Sequence, residues 1–441
     1  MALAPTTLAA ISLIALVLTI AIAFWRKMNP GIVAFGVTLI VAILAGIKHH
    51  ELIKGFNSNL FIILLGAAFF ATISQINGTL ELLAKKLVAI VGKKAFLVPF
   101  AMFFVGIVVA ASGPGTVPGI ALCAIFAAPL SHTLKCDPLI IGYAGQLGSI
   151  TGGMVPWCAT GIVSSNLSIK AASTAGLAPE IAQYLQTGFT MESFLIHLFG
   201  TFCFLVFIYV VLKGWKINVD QVDQDEKLPP FNTNQIITLL STLVMIGIVI
   251  VFKTNIGLTC FVIGSTLCAF GLVPMSECIK KISWGVILMV VGVGMLMHVV
   301  IIAGGIKLLT EIIAAVSNSV TVAPIISSLA GCCSWFSSTS GVVMPALIPT
   351  VPDLMMALNM TDPYDAAVLV GAIGVGSHLA GLSPASTGGG LQIASITNEY
   401  GDEIDSNKLF IKMFTLSAIS VLLSGVLPLI GLYTMIAKMV H

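Results

Sequence analysis

Two short stretches gather hydroxyls, glycine and proline between apolar runs. They are Ala111–Pro118 (Ala-Ser-Gly-Pro-Gly-Thr-Val-Pro) and Ser337–Pro345 (Ser-Ser-Thr-Ser-Gly-Val-Val-Met-Pro). Ser112, Gly113, Gly115 and Thr116 in the first, and Ser337, Ser338, Thr339 and Ser340 in the second, supply hydroxyls and approachable amide groups for an anion. A second pair of stretches is glycine-rich and proline-terminated: Gly148-Ser149-Ile150-Thr151-Gly152-Gly153 before Pro156, and Gly376-Ser377-His378 through Gly381 before Pro384. Glycine runs and proline unwind a helix, and unwound carbonyls beside hydroxyls suit a hard cation such as Na+. Gly148, Ser149, Thr151, Gly152, Gly376, Ser377 and Gly381 are therefore the candidate cation ligands. His378 could donate to a carboxylate or couple binding to pH, and equally could be a satisfied structural histidine. His298 reads as structural, Met289, Met295 and Met297 as core, and Trp157 either as a wall of the site or as packing.

The elements that must position these residues are membrane-embedded. The chain is 58% hydrophobic and 9% charged, with mean hydropathy +1.08 over 441 residues, which excludes a water-soluble fold. A formal charge of +2, with basic residues scattered through loops, gives no nucleic-acid footprint. The nine cysteines lack metal-ligand or disulfide spacing and read as small packing residues. No transition-metal site and no organic cofactor are expected.

Along the chain, a first apolar run at about 8–25 reads as a retained span, followed by spans at about 31–47 and 59–76 and an amphipathic interfacial segment at about 79–92. The hydroxyl-rich tip at 111–118 then divides apolar runs too short to cross a bilayer comfortably. That predicts a re-entrant hairpin over about 95–133, and a broken helix follows over about 138–169. A span at about 192–212 closes the half, and the polar segment 213–234 reads as a cytoplasmic linker. The second half, 235–441, repeats the order with spans at about 235–252, 257–273 and 284–302, a hairpin at about 321–358 and a broken helix at about 363–396.

The repeat is carried by a fixed offset. Asn77 and Gly304, and Pro118 and Pro345, are each 227 apart; Pro156 and Pro384 are 228 apart. Each copy has an odd number of crossings, so the copies are predicted to be inverted. Basic residues agree. Arg26, Lys27, Lys85, Lys86, Lys93, Lys94, Lys135 and others fall on the predicted inner side, and only Lys48, Lys54, Lys170, Lys253, Lys307 and Lys438 on the outer, with both termini outside. No acidic group lies well inside a predicted span, and the single arginine, Arg26, sits at a helix end. A carboxylate would then be held by hydroxyls, amides and bound cations, and a missing carboxylate relay favours Na+ over H+ as the coupling ion.

Inverted repeats with an interfacial helix, a Ser/Thr-rich hairpin tip and a helix broken at a small-residue and proline turn resemble the ion transporter superfamily. The likeness is nearest to the divalent anion:Na+ symporters and the malonate/dicarboxylate carriers, over essentially the whole chain. The family's Ser-Asn-Thr signature falls on Ser112-Gly113-Pro114 with Thr116, and on Ser338-Thr339-Ser340. Its Gly-Thr-Pro turn falls on Met154-Val155-Pro156 and Leu382-Ser383-Pro384, which adds Ser383 to the substrate contacts. Neither tip has the asparagine, and Val155 replaces a hydroxyl. The resemblance implies a homodimeric scaffold, an elevator-like transport domain, a small dicarboxylate such as malonate or succinate as substrate, and a bacterial inner-membrane location.

The sequence thus predicts an all-α polytopic membrane protein of two inverted repeats, a Na+-coupled carrier and not an enzyme. H+-coupled uptake or exchange of another anion is the alternative. A channel needs a continuous pore, which hairpins entering from both faces would block. An intramembrane hydrolase could be read into Ser340 and His378, but Ser112 has no matching histidine.

Overall fold

The computed structural model describes residues 4–26, 28–79, 81–82, 86, 95–112, 115–217, 228–252, 254–282, 284–335, 338–384 and 386–440. Among these there is no strand; the elements are helices of very unequal length. The first half runs α1 (Pro5–Trp25), α2 (Pro30–Ala45), α3 (His49–Lys54), α4 (Ser58–Ile76), α5 (Val98–Ala111), α6 (Thr116–Thr133), α7 (Pro138–Gly152), α8 (Ala159–Ala171), α9 (Pro179–Gln186) and α10 (Thr190–Val211). The second runs α11 (Thr233–Phe252), α12 (Ile256–Ala269), α13 (Met275–Lys281), α14 (Trp284–Ile302), α15 (Gly305–Ala315), α16 (Val322–Ser334), α17 (Thr339–Ala357), α18 (Tyr364–Ala380), α19 (Thr387–Tyr400), α20 (Ser406–Leu429) and α21 (Leu432–Met439).

Local chemistry sets these boundaries. α2 and α7 start on side-chain caps, Asn29 and Asp137, with proline at the next position, where its missing N–H costs nothing. Asn255, 226 residues after Asn29, caps α12 in the same way. α17 opens as a π-helical turn over Thr339–Val343 and tightens to 3-10 geometry at Ile348–Thr350, because Pro345, Pro349 and Pro352 remove successive ladder donors. Among the described residues, α1, α10, α17 and α20 are long and apolar enough to cross a bilayer alone. α5, α6, α16 and α18 are shorter apolar helices, as hairpin arms and half-helices are. α14 turns through 80° into α15 at Gly304, whose φ of +80° favours glycine. α15 buries Ile306, Thr310 and Ile313 and leaves Lys307 and Glu311 exposed, the amphipathic pattern expected there. Most of its first-half counterpart at 79–92 lies outside the described residues, as do Gly113, Ser337 and the acidic part of the 213–234 linker.

Packing separates the chain into bodies by side chain, not by sequence half. The largest core draws on α5–α7, α9, α10 and α15–α21, with Leu167 of α8 packed against it. Its two axial members, α7 and α18, are buried all round: every residue of α7 and all of Ala366–Ala380. Smaller cores join α4 to Ile162 and Val163 of α8 and to α11–α14, and α1, α2, α14, α15 and Val342 of α17 to one another. Two contacts recur with the halves exchanged. Gly292 of α14 lies on the Gly31 carbonyl of α2, and Gly66 of α4 lies on the Gly257 carbonyl of α12; a Cβ at either would collide with backbone. Gly31 and Gly257 are 226 apart, as are Gly66 and Gly292.

Candidate transport site

Each hairpin arm is separated from its partner by a few residues. Gly115, at φ +82°, starts α6 with open space where a side chain would be, so backbone conformation is what requires glycine. Ser112 donates to the Val109 carbonyl at 2.8 Å, within its own helix. Thr116 reaches out of the hairpin: its hydroxyl is 3.2 Å from that of Thr160, at the start of α8. Trp157 Nε1 donates to the Ala111 carbonyl at 2.6 Å and Cys158 Sγ to Ala110 at 3.2 Å. Trp157 thereby ties the first tip to the first break.

At the second tip, Ser338 caps the π-helical turn by accepting from Gly341 N, and Thr339 lies 3.2 Å from Ser334 across the hairpin. Ser338, Thr339 and Ser340 are all half-buried. Trp335 donates to Ser417 Oγ at 3.0 Å, which in turn donates to the Ala380 carbonyl at the end of α18.

The breaks lie later in the chain than glycine content predicts. α7 is continuous through Gly148, Ser149, Thr151 and Gly152, and unwinds only at Gly153–Cys158; α18 is continuous through Gly376, Ser377 and His378, and opens at Gly381–Pro384. Of the seven candidate cation ligands, Gly381 alone lies in a break. Gly148 and Gly152 instead admit the Phe103 and Ile107 carbonyls of α5, and Gly376 admits Ser327. Ser149, Thr151 and Ser377 return their hydroxyls to carbonyls of their own helices. Small residues here serve close helix approach, and the missing N–H of Pro156 and Pro384 decides where the helix stops.

The two breaks share one geometry. Gly161 packs on the carbonyls of Met154 and Val155, and Gly389, 228 residues on, packs on those of Leu382 and Ser383. Ser383 is fully buried in the second break. The second break is also held by the opposite half, and α7 ahead of the first break is bonded by α19. Tyr143 Oη donates to Leu382 O at 2.9 Å and Gln146 Nε2 to Gly381 O at 2.6 Å, while Gln392 of α19 donates to Gly142 O of α7. Gln146 overlies Gly388 and Gln392 overlies Gly142, so two Gly-x-x-x-Gln strips cross antiparallel. Sequence reasoning passed over Tyr143, Gln146, Gln392 and Thr160. The available signal was a carboxamide within an otherwise apolar helix.

His378 points away from the tips. Its Nδ1 is 3.1 Å from Nε2 of His197 on α10, both rings are buried, and His197 Nδ1 meets the Ser193 carbonyl at 2.7 Å. One of its polar partners is therefore another histidine. His298 lines a cavity of about 600 Å³ together with Lys54, Lys170, Lys307, Asp353 and Pro345. Asp353 also corrects the acidic inventory: it is a half-buried carboxyl within the candidate span Thr339–Ala357.

Residues 5–153 match the family model of the dicarboxylate carrier protein MatC N-terminus. No curated protein sequence matches the chain significantly. Among solved structures the chain is similar to the YdaH transporter of Alcanivorax borkumensis, described as having an unusual topology. Identity is 12%, coverage is 88% of this chain and 87% of that one, and the TM-score is 0.53. The chain shares the fold of that structure. The matched family segment spans α1 to α7 and so includes the first hairpin.

Proposed function

We propose that this protein is a secondary active transporter that takes up a small dicarboxylate, of the malonate or succinate class, with Na+. The observation that carries this reading is the meeting of the first hairpin tip with the start of α8 at Thr116–Thr160, the tip itself lying within residues 5–153, which match a dicarboxylate carrier model. Four helices start at the tips and breaks: α6, α8, α17 and α19. The first-turn N–H groups of a helix have no partner within it and carry partial positive charge, so a carboxylate is stabilised there without arginine. Thr116, Thr160, Ser338, Thr339 and Ser340 are the hydroxyls assigned to substrate, and Ser112 and Ser383 lie beside them. Carbonyls of Gly153–Cys158 and Gly381–Pro384 are the oxygen donors assigned to Na+.

The largest core supports alternating access in which the hairpins and broken helices move as one body against α1–α4 and α11–α15, across the smaller cores that Ile162 and Val163 of α8 and Val342 of α17 enter. The exchanged glycine contacts support two inverted repeats, and the scaffold they build is the surface assigned to a homodimer. The test is uptake of labelled malonate and succinate into proteoliposomes with and without an inward Na+ gradient. Uptake that requires Na+ supports the symporter; uptake unaffected by Na+ refutes it. The His197–His378 pair favours one second reading, H+ coupling, in which a pH gradient alone drives uptake.

A further inference from the structure

The cavity of about 600 Å³ lies between the two bodies. One wall is formed by Lys54 at the end of α3, by α14 from Val291 to Ile301, and by Lys307 of α15; the other by α8 from Val163 to Ala171 and by α17 from Pro345 to Asp353. Three lysines against one aspartate give its lining a formal charge of +2. Lys54 is engaged by Glu51 at 2.7 Å, whereas Lys170 and Lys307 form no ion pair among the described residues. His298 adds a buried Nε2 that has no hydrogen-bond partner among them.

The lining is graded. On α8, Lys170 is followed inward by Leu167 and Val163, and the next turn brings Thr160, which meets Thr116 of the first tip. On α17, Asp353, Pro349 and Pro345 lie on successive turns leading back to Thr339 at the second tip. From Lys170 to Thr160 the helical rise is about 15 Å. The cavity thus has a cationic mouth, an apolar throat and hydroxyls beyond. Its three lysines are also among the few assigned to the outer side by the charge pattern.

We propose that this cavity is an anion-recruiting antechamber, in which Lys170 and Lys307, with His298, hold a dicarboxylate before it reaches the hairpin tips. The identity of the anion rests on the dicarboxylate reading; the antechamber itself rests on the cavity and its charges. Lysine suits the role because its ammonium is a hydrated, mobile point charge that attracts a carboxylate without clamping it. A cleft lined by one sign of charge raises the local concentration of the opposite ion and its rate of entry.

The experiment compares initial rates of malonate and succinate uptake by the wild-type protein and the K170Q/K307Q variant in proteoliposomes, at low and high ionic strength. The variant is expected to raise KM about tenfold with kcat within about twofold, and to lose most of the wild-type fall of kcat/KM with salt. K170R/K307R should retain wild-type values, because charge and not shape is at issue. A folded K170Q/K307Q protein with unchanged KM and salt dependence overturns the proposal, as does an arginine variant as impaired as the glutamine one. If the wild type moves neither acid, the dicarboxylate reading fails and the antechamber is decided separately by thiol labelling. In a background with exposed Cys203, Cys332 and Cys333 replaced by serine, K170C should react faster with an anionic methanethiosulfonate than with a cationic one. Adding K307Q should abolish that preference; equal reactivity in both backgrounds overturns the antechamber.

Discussion

At the scale of single residues, hydroxyls and glycines divide by what they touch. Thr116 and Thr160 face each other between a hairpin tip and a break, whereas Ser112, Ser149 and Ser377 return their hydroxyls to their own helices. Thr116→Val, Thr160→Val and Thr339→Val keep shape and remove a donor. A hydrogen bond to a charged partner is worth about 1.5–3 kcal/mol, so each should raise KM for uptake by roughly 10- to 100-fold while the protein still elutes as a single folded species. Unchanged KM would remove that residue from the site. The glycines give a complementary contrast. Gly148→Ala would drive a methyl into the Phe103 carbonyl, whereas Gly36→Ala meets nothing within 4 Å. Overpacking costs about 1–3 kcal/mol, so G148A should lower the Tm of the detergent-solubilised protein by several degrees and G36A should leave it unchanged or slightly raised.

At the scale of elements, the breaks are built by proline, and the second is held by partners from the other half of the chain. α7 and α18 remain helical up to the last residue before their breaks because each final turn is capped, as where Gly153 N reaches Ser149 O and Gly381 N reaches His378 O. Beyond them, the Gln146–Gly381 and Gln392–Gly142 bonds stitch α7 to the second break and to α19. Gln146→Leu and Gln392→Leu each delete one such bond at little change of volume. Each should cost about 1 kcal/mol by urea or thermal unfolding, and the double variant should cost more than either alone. Full additivity at zero cost would show that the crossing is held by packing only.

At the scale of the whole molecule, the cavity and the division of cores separate contacts within one body from contacts across two. Ser395 of α19 donates to the Ala124 carbonyl of α6 at 2.7 Å, inside the largest packed body, although the two residues belong to opposite halves of the chain. Lys170 and Lys307 line opposite walls of the cavity. Bridging A124C to S395C should therefore leave malonate counterflow intact, whereas a short bifunctional thiol reagent between K170C and K307C should arrest it reversibly. Arrest by the first bridge, or free counterflow with the second in place, would contradict rigid-body alternating access.

Composition and hydropathy alone fixed the class, because so apolar a chain has no water-soluble solution. The order of apolar helices and of the breaks between them was legible too, since apolar run length and helix-breaking residues act locally. Pro156 and Pro384 marked the breaks to within a few residues. The position of unwinding within them was not legible. Glycine at 148 and 152 weakens a helix and also admits a neighbour's backbone, and only the presence of α5 against α7 selects the second effect. The partners of His378 and Gln146 were likewise hidden, since His197 is 181 residues away and Gly381 is 235 away. The cationic cavity was hidden for the same reason: Lys54, Lys170 and Lys307 come from three distant segments. Local chemistry along the chain decides which elements form; which side chains meet depends on how those elements pack, and the information for that is spread over the whole chain.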